Sequence, residues 1–186
     1  MIEQIFTYFT IETLYMWINL GVIPFWLILI FFPQSYLCRF FVTSIFPIIL
    51  LSGAYIFILY QSFIIGYDFG GNFNLYLGLN ELSRLFEDSL YLIIFWTHFV
   101  AINLFIGGWI VKDSQKFSIN RILLGIPLII TYLIGPIGIF IYWVIFGYIY
   151  TGTFVGAGIL GFGSIIPLLF YYFHERIWNK VKWGTN

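Results

Sequence analysis

His98 and Asn103 lie in the stretch FWTHFVAINLFIGGWIVKD, Phe95 to Asp113, which otherwise reads as lipid-soluble. An imidazole gives or takes a proton near neutral pH. An ionisable group inside a membrane is by default a functional candidate, and a partner is expected. His98 is nine residues in from Ser89; at 1.5 Å of rise per residue that is about 13 Å deep. It is the candidate acid or base, and the polar residues on the apolar runs that offer it a partner are Asn19, Gln61, Thr97 and Thr131. The alternative is a hydrogen bond between helices, with no chemistry. Asn103 follows five positions later, about 140° around a helix. It shares a face with Trp96 and Gly107, whereas His98 shares one with Phe105 and Trp109. A site using both must straddle the helix or take in a second one. Taken alone, Asn103 reads as interhelical glue. Asp113, Lys112 and Lys116 mark the end of the run, where cations complement the helix dipole.

These residues need a membrane to make sense. Of the 186 residues, 61% are hydrophobic and 9% charged, far from the quarter or so that is charged in a soluble domain. Basic and acidic residues balance, so charge points to no nucleic-acid partner. Cys38 is the only cysteine, which excludes an internal disulfide and a cysteine-based zinc site. His98 and His174 fall on different helices, so no metal constellation is expected. Apolar runs at about 13–32, 40–61, 89–111, 122–147 and 151–173 are each long enough to cross a bilayer. In hydrocarbon each must satisfy its backbone internally, so each is a helix. The expectation is an all-α polytopic membrane protein, a five-helix transmembrane bundle. The start, MIEQIFTYFTIE, has no basic residue and so no signal-peptide n-region; the first run is expected to be a retained span.

Five spans put Arg84 alone on one side. Arg39, Lys112, Lys116, Arg121, Arg176, Lys180 and Lys182 fall on the other. Cytoplasmic loops carry the basic excess, so the N-terminus is expected outside and the C-terminus in the cytoplasm, in a bacterial inner membrane. Between the second and third spans, LGLNELSRLFEDS sets Leu79, Leu82, Leu85 and Phe86 opposite Glu81, Arg84, Glu87 and Asp88. That pattern predicts a short helix lying in the interface; a plain connector is the alternative. In YLIGPIGIFIYW, Pro136 between Gly135 and Gly138 predicts a kink and leaves room for another helix or a rigid ligand. Gly152 and Gly156 form a small-xxx-small pair, and Pro167 is expected to bend the last span.

Three segments, IPFWLILIFFP (Ile23 to Pro33), FWTHFVAINLFIGGWIVKD and GPIGIFIYW (Gly135 to Trp143), resemble in order and spacing the signatures of the neoxanthin-synthase-like, abscisic-acid-deficient-four type membrane family. The resemblance implies a four-span domain over residues 1–147, followed at 148–186 by a fifth span and a basic aromatic tail. It implies carotenoid chemistry: isomerisation of an epoxy-xanthophyll to an allene, with no redox cofactor. That reaction needs a proton delivered to the epoxide oxygen and another removed from the adjacent chain carbon. His98 is the candidate acid. Trp96, Trp109, Gly135, Pro136 and Gly138 are the candidate substrate-binding residues. The family pattern around the third span is Trp, His two residues on, then Asp-Leu-Phe. Trp96, His98, Leu104 and Phe105 match it, but Asn103 stands where the Asp belongs, and Asn is no acid or base. The tail YYFHERIWNKVKWG (Tyr171 to Gly184) resembles the C-terminal signature of a short membrane domain of unknown function. Read from its residues, that tail is an interfacial anchor, with Arg176, Lys180 and Lys182 near anionic headgroups and Trp178 and Trp183 in the aromatic belt.

Two readings stand together at this stage. One is an enzyme, a cofactor-free isomerase of a carotenoid-like lipid in the bilayer. The other is a non-catalytic protein that binds or organises carotenoid, membrane lipid or a partner membrane complex.

Overall fold

The computed structural model describes residues 8–163, with helices and no strand among them. In order these are α1 (Ile11–Phe31), α2 (Phe46–Ile64), α3 (Leu79–Glu87), α4 (Ser89–Lys116), α5 (Arg121–Leu133), α6 (Gly135–Thr151) and α7 (Phe154–Gly163). One π-helical turn, Cys38–Val42, leads into α2, and a 3-10 segment, Phe69–Tyr76, precedes α3. Among the described residues three helices are long and apolar enough to cross a membrane: α1, α2 counted with its π-helical turn as Cys38–Ile64, and α4. The chain is an all-α membrane protein.

Local chemistry explains the helix starts and the buried hydroxyls. Thr10 caps α1 by accepting from the Thr13 N–H, and Asp88 caps α4 by accepting from Leu90 and Tyr91 at 2.8 and 3.0 Å. Such caps replace the intrahelical acceptors that a first turn lacks. Within the helices, Ser62, Thr97, Ser114 and Thr131 donate to the carbonyls of Ile58, Ile93, Val111 and Pro127 on their own helices. Lipid offers no water to such hydroxyls, so a back-bond is the available solution. Thr97 and Thr131 are thereby satisfied within their own helices.

α4 is the central element, in contact with α1, α2 and α5. Its 28 residues run about 42 Å and bury Ile93, Val100, Leu104, Ile110 and Val111 among others. Trp17, Leu20, Leu27, Ile49 and Ile56 stay exposed, because hydrocarbon is as good a solvent for them as a protein core.

The run at 122–147, expected as one kinked span, is two helices. The chain leaves helical geometry at Ile134 (φ −144°, ψ 87°). Pro136 has no N–H for the Tyr132 carbonyl, so α5 cannot run on through it, and the proline stands instead in the first turn of α6. The Ile134 carbonyl then accepts from Ile137 and Gly138, both at 3.1 Å, and starts α6. In an unbroken helix Thr131 and Gly138 are about 10.5 Å apart. Here a Cβ on Gly138 would strike the Thr131 side chain and backbone, so the chain folds sharply back at this point.

The loop helix α3 forms where the amphipathic pattern placed it. Part of its apolar face packs on protein: Phe86 meets Tyr91 and Phe95 of α4 edge-on, with ring centroids 5.7 and 4.8 Å apart, and Leu82 and Leu85 are half-buried, while Leu79 stays exposed.

Contacts cluster into two units, Met1–Gly138 and Ile139–Asn186. In the second, Gly147 meets the Ala157 backbone, where a Cβ would overlap it, so α6 and α7 touch at their smallest residues. Gly152 serves the turn between them with φ +71° and is not on a helix face. The rest of the run expected as a fifth span, Pro167, His174 and the basic aromatic tail lie outside the described residues.

Candidate functional site

Two hydrogen bonds tie α1 to α4. The Trp96 indole N–H donates to Asn19 Oδ1 at 3.2 Å, and Gln115 Nε2 donates to the Pro33 carbonyl at 3.0 Å at the other end. Asn19 completes its amide by donating Nδ2 to the Tyr15 carbonyl at 2.7 Å. Its carboxamide is therefore engaged at both ends, and it holds the Trp96 ring in place.

One turn beyond Phe99 and two beyond Trp96, Asn103 is 4% exposed. Its Oδ1 lies against the backbone of Gly135, where a Cβ would collide with it. Its Nδ2 is buried and, among the described residues, has no hydrogen-bond partner. A buried donor left unmade costs about 1–3 kcal/mol, so such groups call for an explanation. Beside it is a cavity of about 160 Å³ lined by Asn19, Val22, Trp26, Trp96, Phe99, Val100, Asn103, Tyr132 and Leu133. Trp26 and Tyr132 meet edge to face with centroids 5.3 Å apart. Gly107 lets Trp26 approach α4: a Cβ there would sit 2.8 Å from the indole Cη2. The walls are thus aromatic and rigid, and the unsatisfied polar group is an amide donor. A donor in an apolar aromatic pocket suits a lipophile that brings an oxygen acceptor.

A second cavity, about 440 Å³, lies towards the start of both helices. It is lined by Ile11, Glu12, Tyr15, Ser89, Leu92, Ile93 and Trp96. Trp96 lines both cavities and divides them. On α1 the residues facing this path, Glu12, Tyr15, Asn19, Val22 and Trp26, recur at the three- and four-residue spacing of one helix face.

The sequence-derived candidates separate. Trp96, Asn103 and Gly135 come together. Gly138 packs on Thr131, and Pro136 is exposed. His98 is exposed on the α2 side of α4, its ring 6.4 Å from that of Tyr55, beside a cavity of about 330 Å³ that also meets Ser52 and Ala101. No hydrogen bond or ion pair reaches it among the described residues. Trp109 lines a cavity of about 410 Å³ near the far end of α4, with Thr43, Ser44, Phe105 and Lys112. Asn103 and Trp96 do share a face, as their spacing requires, and His98 is on another.

Sequence reasoning named Asn19 only as a partner for His98, and did not name Trp26, Tyr132 or Glu12. The signal for the first two was present. A lone Asn in a span, in register with a Trp seven residues on, marks the α1 face that meets α4. Tyr132 had no such signal, because only the break at Ile134 fixes where α5 ends.

Comparison with curated proteins and with solved structures found no match. The family comparison did: residues 13–142 match the ABA DEFICIENT 4-like model. That stretch holds Trp26, Trp96, His98, Asn103 and Gly135, and the chain belongs to the ABA DEFICIENT 4-like family.

Proposed function

We propose that the protein binds a carotenoid or related rigid isoprenoid taken from the bilayer, holding an oxygen of its end group at Asn103. The observation that carries this reading is the buried, unpartnered Asn103 Nδ2 beside an aromatic cavity. Family membership supports a carotenoid-related ligand. The polyene of such a molecule is rigid and loses little entropy on binding. Trp96, Trp26 and Tyr132 offer flat faces for it, and the neighbouring cavity of about 440 Å³ beside Glu12 and Tyr15 leaves room for the chain.

A second reading, favoured by the family, is catalysis: isomerisation of an epoxy-xanthophyll to an allene. It needs an acid at the epoxide oxygen and a base at the neighbouring carbon. His98 is the candidate acid or base within α4, and Tyr132 is a phenol in the Asn103 cavity. The topology that accompanies both readings has five crossings, an outer N-terminus and a cytoplasmic C-terminus, in a bacterial plasma membrane. A C-terminal reporter active only in the periplasm would overturn it.

The test is expression in cells that make epoxy-xanthophylls, followed by purification and pigment analysis, with His98→Ala in parallel. Co-purified xanthophyll, with no allenic product, is the result expected from binding. Allenic product lost in His98→Ala establishes catalysis through that imidazole. Absence of both pigment and product refutes the carotenoid reading.

A further inference from the structure

The segment between α2 and α4 carries a surface that the Asn103 site does not use. From Phe73 to Leu79 the chain reads FNLYLGL, and Phe73, Tyr76, Leu77 and Leu79 are 72%, 79%, 76% and 80% exposed. Single exposed apolar side chains need no explanation, but four within seven residues make a patch. The segment is not a loose tether. Asp68 accepts from the Gly70 N–H at 3.0 Å, and the Tyr67 hydroxyl donates to Asn72 Oδ1 at 2.8 Å. Behind it α3 is pinned to α4 through Phe86.

Both ends of this segment are fastened to membrane-crossing helices, α2 ending at Ile64 and α4 beginning at Ser89. The patch is therefore held within a few residues of the bilayer surface on that side. No charged residue lies between Phe69 and Leu79; on α3 Glu81 and Arg84 pair at 3.8 Å and Arg84 is exposed. Asp68, Glu81, Glu87 and Asp88 outnumber Arg84, so attraction to anionic lipid is not what holds the segment down. Apolar burial is.

We propose that Phe73, Tyr76, Leu77 and Leu79 insert into the headgroup–acyl boundary of the leaflet on this side, with ordinary zwitterionic lipid as the occupant. The end of the 3-10 segment and the turn into Leu79 form the monotopic element, and the rest of α3 is the strut that joins it to α4. α3 runs directly into Ser89, which lines the mouth of the α1–α4 path. Insertion thus sets that mouth at the level of the acyl chains, where a lipophile arrives.

The test uses the full chain in phosphatidylcholine vesicles, with a nitroxide on Leu77→Cys or, as a control, on exposed Ser83→Cys. Native Cys38 is fully buried and stays unlabelled in the folded protein. Collision rates are read with oxygen, which concentrates in lipid, and with a water-soluble nickel chelate. Expected is a nickel rate several-fold lower at position 77 than at 83, with the oxygen rate reversed, unchanged when phosphatidylglycerol is added. Nickel access at 77 equal to that at 83 overturns the proposal. So does protection of 77 from both reagents, which would mean that protein covers the patch, and so does insertion only with anionic lipid.

Discussion

Replacing Asn103 with leucine separates a ligand-binding amide from a structural one. Nδ2 is buried without a partner among the described residues, a defect worth about 1–3 kcal/mol where no ligand fills it. Leucine keeps the branch at Cγ and removes that defect. It also replaces Oδ1 with a methyl against the Gly135 backbone, an overpacking cost of about 1 kcal/mol at the low end of such changes. The balance is a stability unchanged or raised by up to about 2 kcal/mol, equivalent to at most roughly 4–8 °C for a chain of this size. If Asn103 were instead glue between α4 and α5, leucine would cost about 0.6–2 kcal/mol, the range for hydrogen bonds between helices in membranes. The assay is thermal unfolding in detergent, without pigment and then with saturating xanthophyll. The expected pattern is an unliganded Asn103→Leu at least as stable as wild type, together with loss of the pigment-induced rise in Tm. A pigment-free Tm lowered by more than about 4 °C, or a ligand-induced rise that survives the substitution, refutes the assignment of Nδ2 to a ligand.

Asn103→Asp restores the family's residue but puts a carboxylate near a span centre, at about 2.5–3.5 kcal/mol on insertion scales; lowered stability with no gain in turnover is expected, and new turnover at intact stability would overturn that. Trp96→Phe removes the indole donor to Asn19. A loss of about 1 kcal/mol and weaker pigment retention are expected by thermal unfolding and co-purification. Gly138→Ala meets the Thr131 backbone, whereas Gly125→Ala meets nothing within 4 Å. The first should cost about 1–3 kcal/mol or more, and the second should be neutral or stabilising by about 0.5–1 kcal/mol. Tyr67 is held above its usual value near 10, first by burial and then by the Asp88 charge. Its raised folded-state value means that its contribution is whole below the unfolded value and is lost as pH rises through the folded one. Ultraviolet phenolate titration of wild type against Tyr67→Phe should therefore show a late-ionising tyrosine missing from the variant.

The parts legible in the sequence were those fixed by period and length. Runs of apolar residues marked α1, α2 and α4 within a few residues, because a helix is the form in which such a run satisfies its backbone in lipid. The angular separation of His98 from Asn103 followed from about 100° per residue alone. The severity of the Pro136 break did not, since a proline signals a lost hydrogen bond but not how far the chain turns. α3 was legible as a helix, but what each part of its apolar face meets was not. Its amphipathic pattern fits lipid or protein equally, and only the fold shows that Phe86 chooses Tyr91 and Phe95. The unpartnered Nδ2 was beyond the sequence altogether. An Asn in a span signals a hydrogen bond, and whether that bond is made within the protein depends on which atoms stand within about 3 Å of it.

The two faces of α4 bear on the chemistry. His98 and Asn103 are five residues apart, about 7.5 Å in rise and 140° in angle, across a helix some 10 Å thick. A ring seated against Asn103 has the backbone of α4 between it and the imidazole. A proton for an oxygen held at Asn103 must then come from the same cavity, from the Tyr132 phenol or from water admitted past Trp96 and Glu12. An amide steadies an oxygen through its N–H but cannot protonate it, whereas the carboxylic acid of the family pattern does both. On the proposed reading, Asn at 103 keeps the grip on the oxygen and gives up the acid. Pigment retained without conversion is then the expected outcome when this chain meets an epoxy-xanthophyll, and conversion should require either Tyr132 or water admitted to the cavity. Tyr132→Phe is the deciding variant: if wild type converts and Tyr132→Phe converts equally well, the phenol has no part in delivering the proton.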